Sequence, residues 1–308
     1  MLRRVAFLVS LSLLLLPASA TAQTEKKKNA DPSQIGERKS RKGPLNFYSP
    51  ERELELGERL AQEMEHSVRL LRDPVVVDYV AEVAERIARN SDTQMPVRVR
   101  IVDSDEVGAF ALPGGFLYVY TGLLLEAQTE AELASVLAHE VAHISARHAT
   151  RQMTKVQMWN LASIPLVLLG GPTVYAIRNG AALAVPLTFL KFSRNAESEA
   201  DRLGLQYHAA SGYDPVAFIT FFERIKRMEG GRGGGIARVF STHPMTRDRI
   251  VAAERMMDEQ LPPREEYVVT TSRHYEVQSY LRSLVGERKN EGVVLRKRTT
   301  EKSSKDPF

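Results

Sequence analysis

Residues 129–145 read TEAELASVLAHEVAHIS, and they combine a helix-capping pattern with a regular apolar repeat. Thr129 followed by Glu132 is a capping-box pattern, in which a threonine begins a helix and a glutamate completes the first turn. Apolar residues then recur at helical spacing, namely Leu133, Val136, Leu137, Val141 and Ile144. The stretch therefore predicts a mostly buried helix.

Two histidines and a glutamate lie in the second half of this predicted helix. His139 and His143 are four residues apart, so both side chains can reach a single zinc ion from one helix face. Glu140 can then act as a general base towards a water whose pKa the zinc lowers to about 7. A core helix without metal is the competing interpretation, but each unpartnered polar side chain would cost about 1 to 3 kcal/mol. We therefore predict one zinc ion per chain.

A catalytic zinc site needs a third protein ligand and an open position for water. We predict that Glu197, in the charged segment 193–201, is this third ligand. Asp201 lies one helical turn further on, where it can accept a hydrogen bond from the second nitrogen of a ligand histidine. Glu199 points to another face and is the weaker choice of ligand. An exposed charged helix face is the alternative for this segment.

His243 follows the glycine-rich loop 230–235, so it lies on a segment suited to a group that moves. We predict that it donates a hydrogen bond to the oxyanion of the reaction or occupies the open zinc position at rest. A histidine that caps a turn is the alternative. Surface or core-edge roles are predicted for the other histidines, which are His66, His148, His208 and His274.

The remaining patterns predict helices around a small sheet. Capping residues followed by proline begin helices at residue 50 and residue 75, and further helices are predicted from about 190 to 210 and from 214. Alternating apolar residues predict strands around 97–102 and 116–120, with a turn at 112–115 between them. We predict an α+β fold, mainly helical and zincin-like, with a small antiparallel sheet, over residues 48–260.

The ends of the 308-residue chain differ from this domain. Residues 1–22 combine early arginines, an apolar run and small residues, which is the pattern of a signal peptide. Residues 23–47 read as a basic flexible linker, and 261–308 as an extension with a basic, disordered tail. Within the extension, 267–270 is predicted as a short strand and 275–285 as a helix that docks back on the domain. Charge confined to these tails does not imply nucleic-acid binding.

The chain contains no cysteine, so lipid attachment to a cysteine and disulfide formation are both excluded. We therefore predict an exported protein that is soluble rather than lipid-anchored, and periplasmic if its source is Gram-negative. The apolar segment 159–190 is interrupted by proline and glycine, which favours a buried helical hairpin. A peripheral contact with a membrane is the alternative. No pattern specifies an oligomeric state.

These motifs together resemble the M48 zinc metallopeptidases, gluzincins that include the CAAX prenyl protease, and especially their soluble exported branch. The resemblance covers residues 48–260. It implies that His139, Glu140 and His143 form the zinc helix, with His148 where the family often has an Arg-His pair. It further implies that Glu197 is the third ligand and that Asp201 is the partner carboxylate. It also implies that His243 belongs to a late His-Pro element of the active-site region, and that Arg249 contacts substrate.

The segment Gly108, Ala109, Phe110 and Ala111 resembles the family's edge strand, along which a peptide substrate pairs by β-augmentation. The family usually has asparagine where this chain has Gly108, so a side-chain amide that grips substrate backbone is missing there. The resemblance implies an endopeptidase that cleaves extended or misfolded proteins in the cell envelope as part of quality control. The alternative is a chaperone-like or assembly factor with a latched, weakly active metal site. A metal hydrolase acting on a non-peptide bond is a third hypothesis.

Overall fold

The computed structural model describes residues 31–38, 46–162, 191–229, 243, 246–261 and 264–286, without the side chains of 159–162 and 228–229. The predicted signal peptide, most of the apolar segment 159–190, the glycine-rich loop and the basic tail lie outside the described residues. Among the helices of these ranges, none combines the length and the apolar character that a membrane crossing requires.

Six helices of the described residues lie close to their predicted places, and three more, over 121–126, 148–162 and 247–260, were not predicted. They are α1 Pro50–Ser67, α2 Pro74–Arg89, α3 Thr121–Glu126, α4 Glu130–Ser145, α5 His148–Ala162, α6 Arg194–Ala210, α7 Val216–Glu229, α8 Arg247–Gln260 and α9 over 272–286. Capping side chains fix several starts, because Ser49, Asp73 and Ser193 each accept a hydrogen bond from a backbone N–H in the first helical turn. The α+β class is therefore confirmed.

The sheet contains β1 Leu70–Leu71, β2 Arg98–Val102, β3 Ala109–Leu112 and β4 Phe116–Tyr120, in the order β1-β2-β4-β3. Strands β3 and β4 form an antiparallel hairpin, but β2 and β4 are parallel. The prediction of a wholly antiparallel sheet is therefore wrong. The reason is the extra strand β3, which reverses the chain once more, so that β4 enters the sheet in the direction of β2.

The β3–β4 turn depends on glycine. Gly114 and Gly115 have φ of 77° and 85°, in the left-handed region that residues with a Cβ avoid. A Cβ on Gly115 would also lie 2.3 Å from the carbonyl oxygen of Pro96. This tight turn keeps β3 hydrogen-bonded to β4 at the edge of the described sheet, next to α4.

Helix α4 lies at the centre of the molecule, and every one of its residues is buried. Its Thr129 cap accepts the N–H of Glu132 at 3.2 Å, as the capping-box pattern predicts. Helix α6 packs closely against α4 because Gly204 has no side chain, and a Cβ there would lie 3.0 Å from the Cα of His139. This close approach brings the two helices that carry the predicted ligands together.

Segments at both ends of the domain pack against it. Gly36 donates its N–H to Asp92 at 2.7 Å, and the buried side chains of Arg38 and Asp92 lie 3.5 Å apart. Residues 31–38, which fall within the predicted flexible linker 23–47, therefore contact the domain. At the other end, Val268 forms a β-bridge with Tyr213, and α9 buries Val277 and Leu281. The extension therefore docks back on the domain, as predicted.

Candidate metal centre

Helices α4 and α6 bring the three predicted metal ligands together. The Nε2 atoms of His139 and His143 lie 3.1 Å apart. The carboxylate of Glu197 approaches them at 3.5 Å from His139 Nε2 and 3.7 Å from His143 Nε2. All three side chains are buried. The HExxH spacing places His139 and His143 side by side on α4, and the packing of α6 against α4 brings Glu197 to the same point.

These donor atoms suit a zinc ion. Zinc binds imidazole nitrogen and carboxylate oxygen at about 2.0 to 2.2 Å in a tetrahedral arrangement, which places neighbouring ligand atoms about 3.3 Å apart. The separations between His139, His143 and Glu197 lie close to that value. Together with His243, the ligand atoms lie within 4.8 Å of one another. A shared cation would hold the two buried imidazole nitrogens at this distance, and so would an N–H···N hydrogen bond between them.

The protonation of the two histidines is set by their surroundings. Burial lowers the pKa of His139, but its hydrogen bonds to the carboxylates of Asp201 and Glu197, which accept, outweigh burial and raise the pKa to about 9. Burial and the neighbouring histidines lower the pKa of His143 well below its usual value. The site therefore already favours one positive charge among these groups, and a metal ion can take the place of that proton.

Asp201 lies beside His139, with its Oδ1 atom 3.2 Å from His139 Nδ1, and its predicted role as the partner of a ligand histidine stays a prediction. Arg249 donates two hydrogen bonds of 2.6 Å to the Asp201 carboxylate and lies 3.1 Å from Glu197 Oε2. Although burial raises the pKa of Asp201, the hydrogen bonds from Arg249 and His139 outweigh burial, so the net shift is downward. Arg249 thus fixes the two carboxylates, and its predicted contact with substrate stays a prediction.

Glu140 lies on the face of α4 that meets strand β3. The backbone of Ala111 hydrogen-bonds the Glu140 carboxylate, so the predicted substrate strand reaches the centre. Burial raises the pKa of Glu140. Its Oε2 atom is buried and has no hydrogen-bond partner among the described residues. A carboxylate with a raised pKa and an unused oxygen suits the predicted general base.

His243 lies among the ligands rather than at a turn on the surface. Its Nδ1 atom is 2.8 Å from Glu197 Oε1, and its Nε2 atom is 3.7 Å from Glu140 Oε1. The ring of His243 lies 4.8 Å from that of His143 and 5.2 Å from that of His139. Both predicted roles require this position, and the choice between them stays a prediction.

Sequence reasoning missed two residues of the centre. His148 was predicted at the surface or core edge, but it is buried and its Nδ1 atom lies 3.0 Å from His143 Nδ1. Phe192 stacks on His143 with ring centroids 4.3 Å apart. Helical spacing gave no signal for His148, because an unbroken helix would turn a residue five positions after His143 away from it. The resemblance, which places an Arg-His pair at this position, was the signal for it. The one sequence signal for Phe192 was its place next to Ser193, the residue that caps the helix carrying Glu197.

The predicted substrate strand lies at the sheet edge among the described strands, with Ala109–Leu112 buried. Phe110 stacks on Tyr118 with ring centroids 5.0 Å apart. The position is compatible with β-augmentation, and the pairing of a peptide with Gly108–Ala111 stays a prediction.

Comparison with known proteins identifies a family. A model described as peptidase family M48 matches residues 74–257. The chain is 28% identical to the beta-barrel assembly-enhancing protease of Escherichia coli K12 over 219 residues, which cover 68% of this chain and 45% of that protein. It is 37% identical to the mitochondrial metalloendopeptidase OMA1 of Arabidopsis thaliana over 165 residues, covering 53% and 32%. The chain spans about half the length of the first relatives it matches.

Proposed function

Because the chain belongs to peptidase family M48, we propose that it uses one zinc ion to hydrolyse peptide bonds in extended or misfolded proteins of the cell envelope. Family membership confirms the predicted resemblance and the predicted metalloendopeptidase class. The identity of the metal, the substrate class and the compartment belong to the proposal.

One observation carries the proposal, namely the buried convergence of His139, His143 and Glu197 beside the unused oxygen of Glu140. Zinc held by these three ligands would supply a Lewis acid and lower the pKa of a reacting water. Glu140 accepts the proton of that water and passes it to the leaving amine nitrogen. Its raised pKa allows the carboxylate to hold the proton between the two transfers.

The surrounding residues orient these groups. The Asp201 carboxylate lies 3.2 Å from Nδ1 of His139, where accepting a proton from that nitrogen would fix the tautomer that presents Nε2 to the metal. Arg249 holds the carboxylates of Asp201 and Glu197 in place. His243 is placed to donate a hydrogen bond to the oxyanion or to close the site.

The position of β3 supports an extended peptide as substrate. A peptide that pairs with an edge strand is recognised mainly through its main chain, which suits cleavage of many misfolded sequences better than one defined target. The pattern in residues 1–22 supports export, and periplasmic residence in a Gram-negative source. One relative is named as a beta-barrel assembly-enhancing protease, which is compatible with a role in the envelope.

A second function draws on the position of His243. Since Nδ1 of His243 lies 2.8 Å from Glu197, the centre can be latched by its own chain. A chaperone-like or assembly factor would bind extended proteins and cleave them only weakly. Activity that rises in His243→Ala would indicate such a latch.

The test is cleavage of casein by the purified protein, with its zinc content measured on the same sample. Glu140→Gln removes the base but keeps the shape of the side chain, and Glu63→Gln on the exposed face of α1 is the matched control. We expect cleavage by the wild type and by Glu63→Gln, and none by Glu140→Gln, which should still bind zinc and casein. Zinc and casein binding without cleavage in the wild type would instead favour the chaperone-like function.

A further inference from the structure

The connection between α4 and α5 returns the chain to the metal centre. Helix α4 ends at Ser145, and Arg147 has φ of 53°, the left-handed conformation that residues with a Cβ rarely adopt. In an unbroken helix His148 would lie about 140° around the axis from His143. Because the helix is broken, the two Nδ1 atoms lie 3.0 Å apart instead.

The unusual conformation of Arg147 is held by contacts of its side chain. Its guanidinium donates to Glu53 at 2.5 Å and to the carbonyl oxygen of Tyr48 at 2.7 Å. Glu53 is almost fully buried and also accepts a hydrogen bond from Thr150. The hydrogen bonds to Glu53 and Tyr48 therefore stabilise the left-handed conformation of Arg147 and, with it, the turn between α4 and α5.

We propose that His148 is a positioning residue that orients His143 as a metal ligand, and that Glu199 in turn fixes His148; this inference rests on the proposed function. If Nε2 of His143 binds zinc, the ring proton must be on Nδ1. That Nδ1–H can donate to Nδ1 of His148. His148 then carries its own proton on Nε2, which lies 3.3 Å from the Glu199 carboxylate.

The arrangement matches the one at the other ligand histidine. His139 has the Asp201 carboxylate beside its Nδ1 atom, and His143 reaches the Glu199 carboxylate through His148. An arginine lies beside each carboxylate, with Arg249 next to Asp201 and Arg151 3.5 Å from Glu199. Helix α6 therefore supplies the third ligand and the carboxylates that orient both ligand histidines.

The test is the zinc dissociation constant of the metal-free protein, measured in competition with a chromophoric chelator. His148→Leu removes the acceptor, whereas His148→Asn places an amide oxygen near the position of Nδ1. We expect His148→Leu to weaken zinc binding by about 10- to 100-fold, as loss of the partner of a metal ligand typically does, and His148→Asn to recover most of the loss. Glu199→Gln should weaken binding less than His148→Leu, because it keeps an acceptor oxygen.

The control is His208→Gln. Like His148, His208 is a buried histidine, but it lies on α6. Its Nε2 atom contacts the carbonyl oxygen of Ala131, at the opposite end of α4 from His143. This variant should lower the free energy of unfolding and leave the zinc dissociation constant unchanged. The absorption spectrum of the cobalt-loaded protein should change in His148→Leu and stay the same in His208→Gln.

Three outcomes would overturn the inference. An unchanged zinc dissociation constant in His148→Leu would show that His148 does not act through His143. Equal losses in His148→Leu and His148→Asn would assign the effect to packing rather than to the hydrogen bond. A wild-type protein that binds no zinc would overturn the proposed function as well, so the two failures are distinguishable.

Discussion

The two ends of helix α4 are both buried, but they differ in how far their polar side chains are hydrogen-bonded. At the N-terminal end, Glu130 accepts hydrogen bonds from the hydroxyls of Tyr213 at 2.9 Å, of Tyr79 at 3.3 Å and of Thr271. At the C-terminal end, an oxygen of Glu140 and a nitrogen of His243 have no hydrogen-bond partner among the described residues. A satisfied buried carboxylate stabilises the fold, whereas an unused one is available for chemistry.

The C-terminal extension is part of the satisfied end. His274 contacts the hydroxyl of Tyr79 at 2.8 Å and the carbonyl oxygen of Ala127 at 3.1 Å. Gln278 donates to the same carbonyl at 2.8 Å. Burial, followed by the charge of Glu130, raises the pKa of Tyr79 and of Tyr213, so both hydroxyls stay protonated and donate. The extension therefore supports the start of the helix whose other end carries the metal ligands.

The largest expected effect separates the two glutamates by activity. Glu140→Gln should reduce the rate of casein cleavage by about 10²- to 10⁴-fold, because general-base catalysis contributes that much. Glu130→Gln should leave the activity of the folded protein close to the wild-type value, since Glu130 lies outside the metal centre. Initial rates per folded protein measure both effects. Comparable losses in the two variants would erase the functional difference between the ends.

A second prediction concerns the pH dependence of stability at His208, whose Nε2 atom contacts the carbonyl oxygen of Ala131 near the N-terminal end of α4. Burial lowers the pKa of His208 from 6.5 to about 4 in the folded protein, so the unfolded chain binds a proton more readily. The contribution of His208 to the free energy of unfolding is therefore fully present above pH 6.5 and is lost as the pH falls towards 4. This contribution is about 3 kcal/mol.

Urea unfolding of the wild type and of His208→Gln at a series of pH values measures this contribution. The variant should be less sensitive to pH between 6.5 and 4, and its zinc affinity should not change. Parallel curves for the two proteins across this window would contradict the assignment to His208.

A third prediction concerns the effect of bound zinc on stability at the C-terminal end of α4. Zinc present at 100 times its dissociation constant should raise the free energy of unfolding by about 2.7 kcal/mol, because it binds only the folded state. A chelator should therefore lower the melting temperature of the wild type but not that of Glu197→Ala. Calorimetric melting with and without chelator provides the comparison. A chelator effect of equal size in Glu197→Ala would place the metal elsewhere.

The smallest expected effect is the loss of one hydrogen bond at the satisfied end. Tyr213→Phe removes the hydroxyl that donates to Glu130, and should lower the free energy of unfolding by about 1 to 2 kcal/mol. Zinc affinity and activity should be retained. Urea unfolding and zinc titration of the same sample measure both quantities. A weakened metal site would show that the ends are coupled through α4.

The contrast also explains which parts of the molecule the sequence could predict. Helix α4, its cap and the ligand pair His139 and His143 follow from periodicity and spacing within one segment. Glu197 was predictable because charge stands out beside apolar sequence, and the helix break at 211–212 because serine and glycine are placed there.

The features that sequence reasoning missed depend on contacts between distant segments. The parallel pairing of β2 with β4 follows from the insertion of β3, which local alternation does not reveal. His148 enters the centre only through the left-handed Arg147, whose conformation depends on Glu53 about a hundred residues earlier. The partners of Glu130 likewise come from three separate segments of the chain.

The most direct test of the central claim is a calorimetric zinc titration of the metal-free protein, comparing the wild type with Glu197→Ala and with the exposed control Glu63→Ala. We expect one zinc per chain in the wild type and in Glu63→Ala, and binding weakened or lost in Glu197→Ala. No zinc binding by the wild type, or equal affinity in Glu197→Ala, would contradict the claim that His139, His143 and Glu197 form the metal centre.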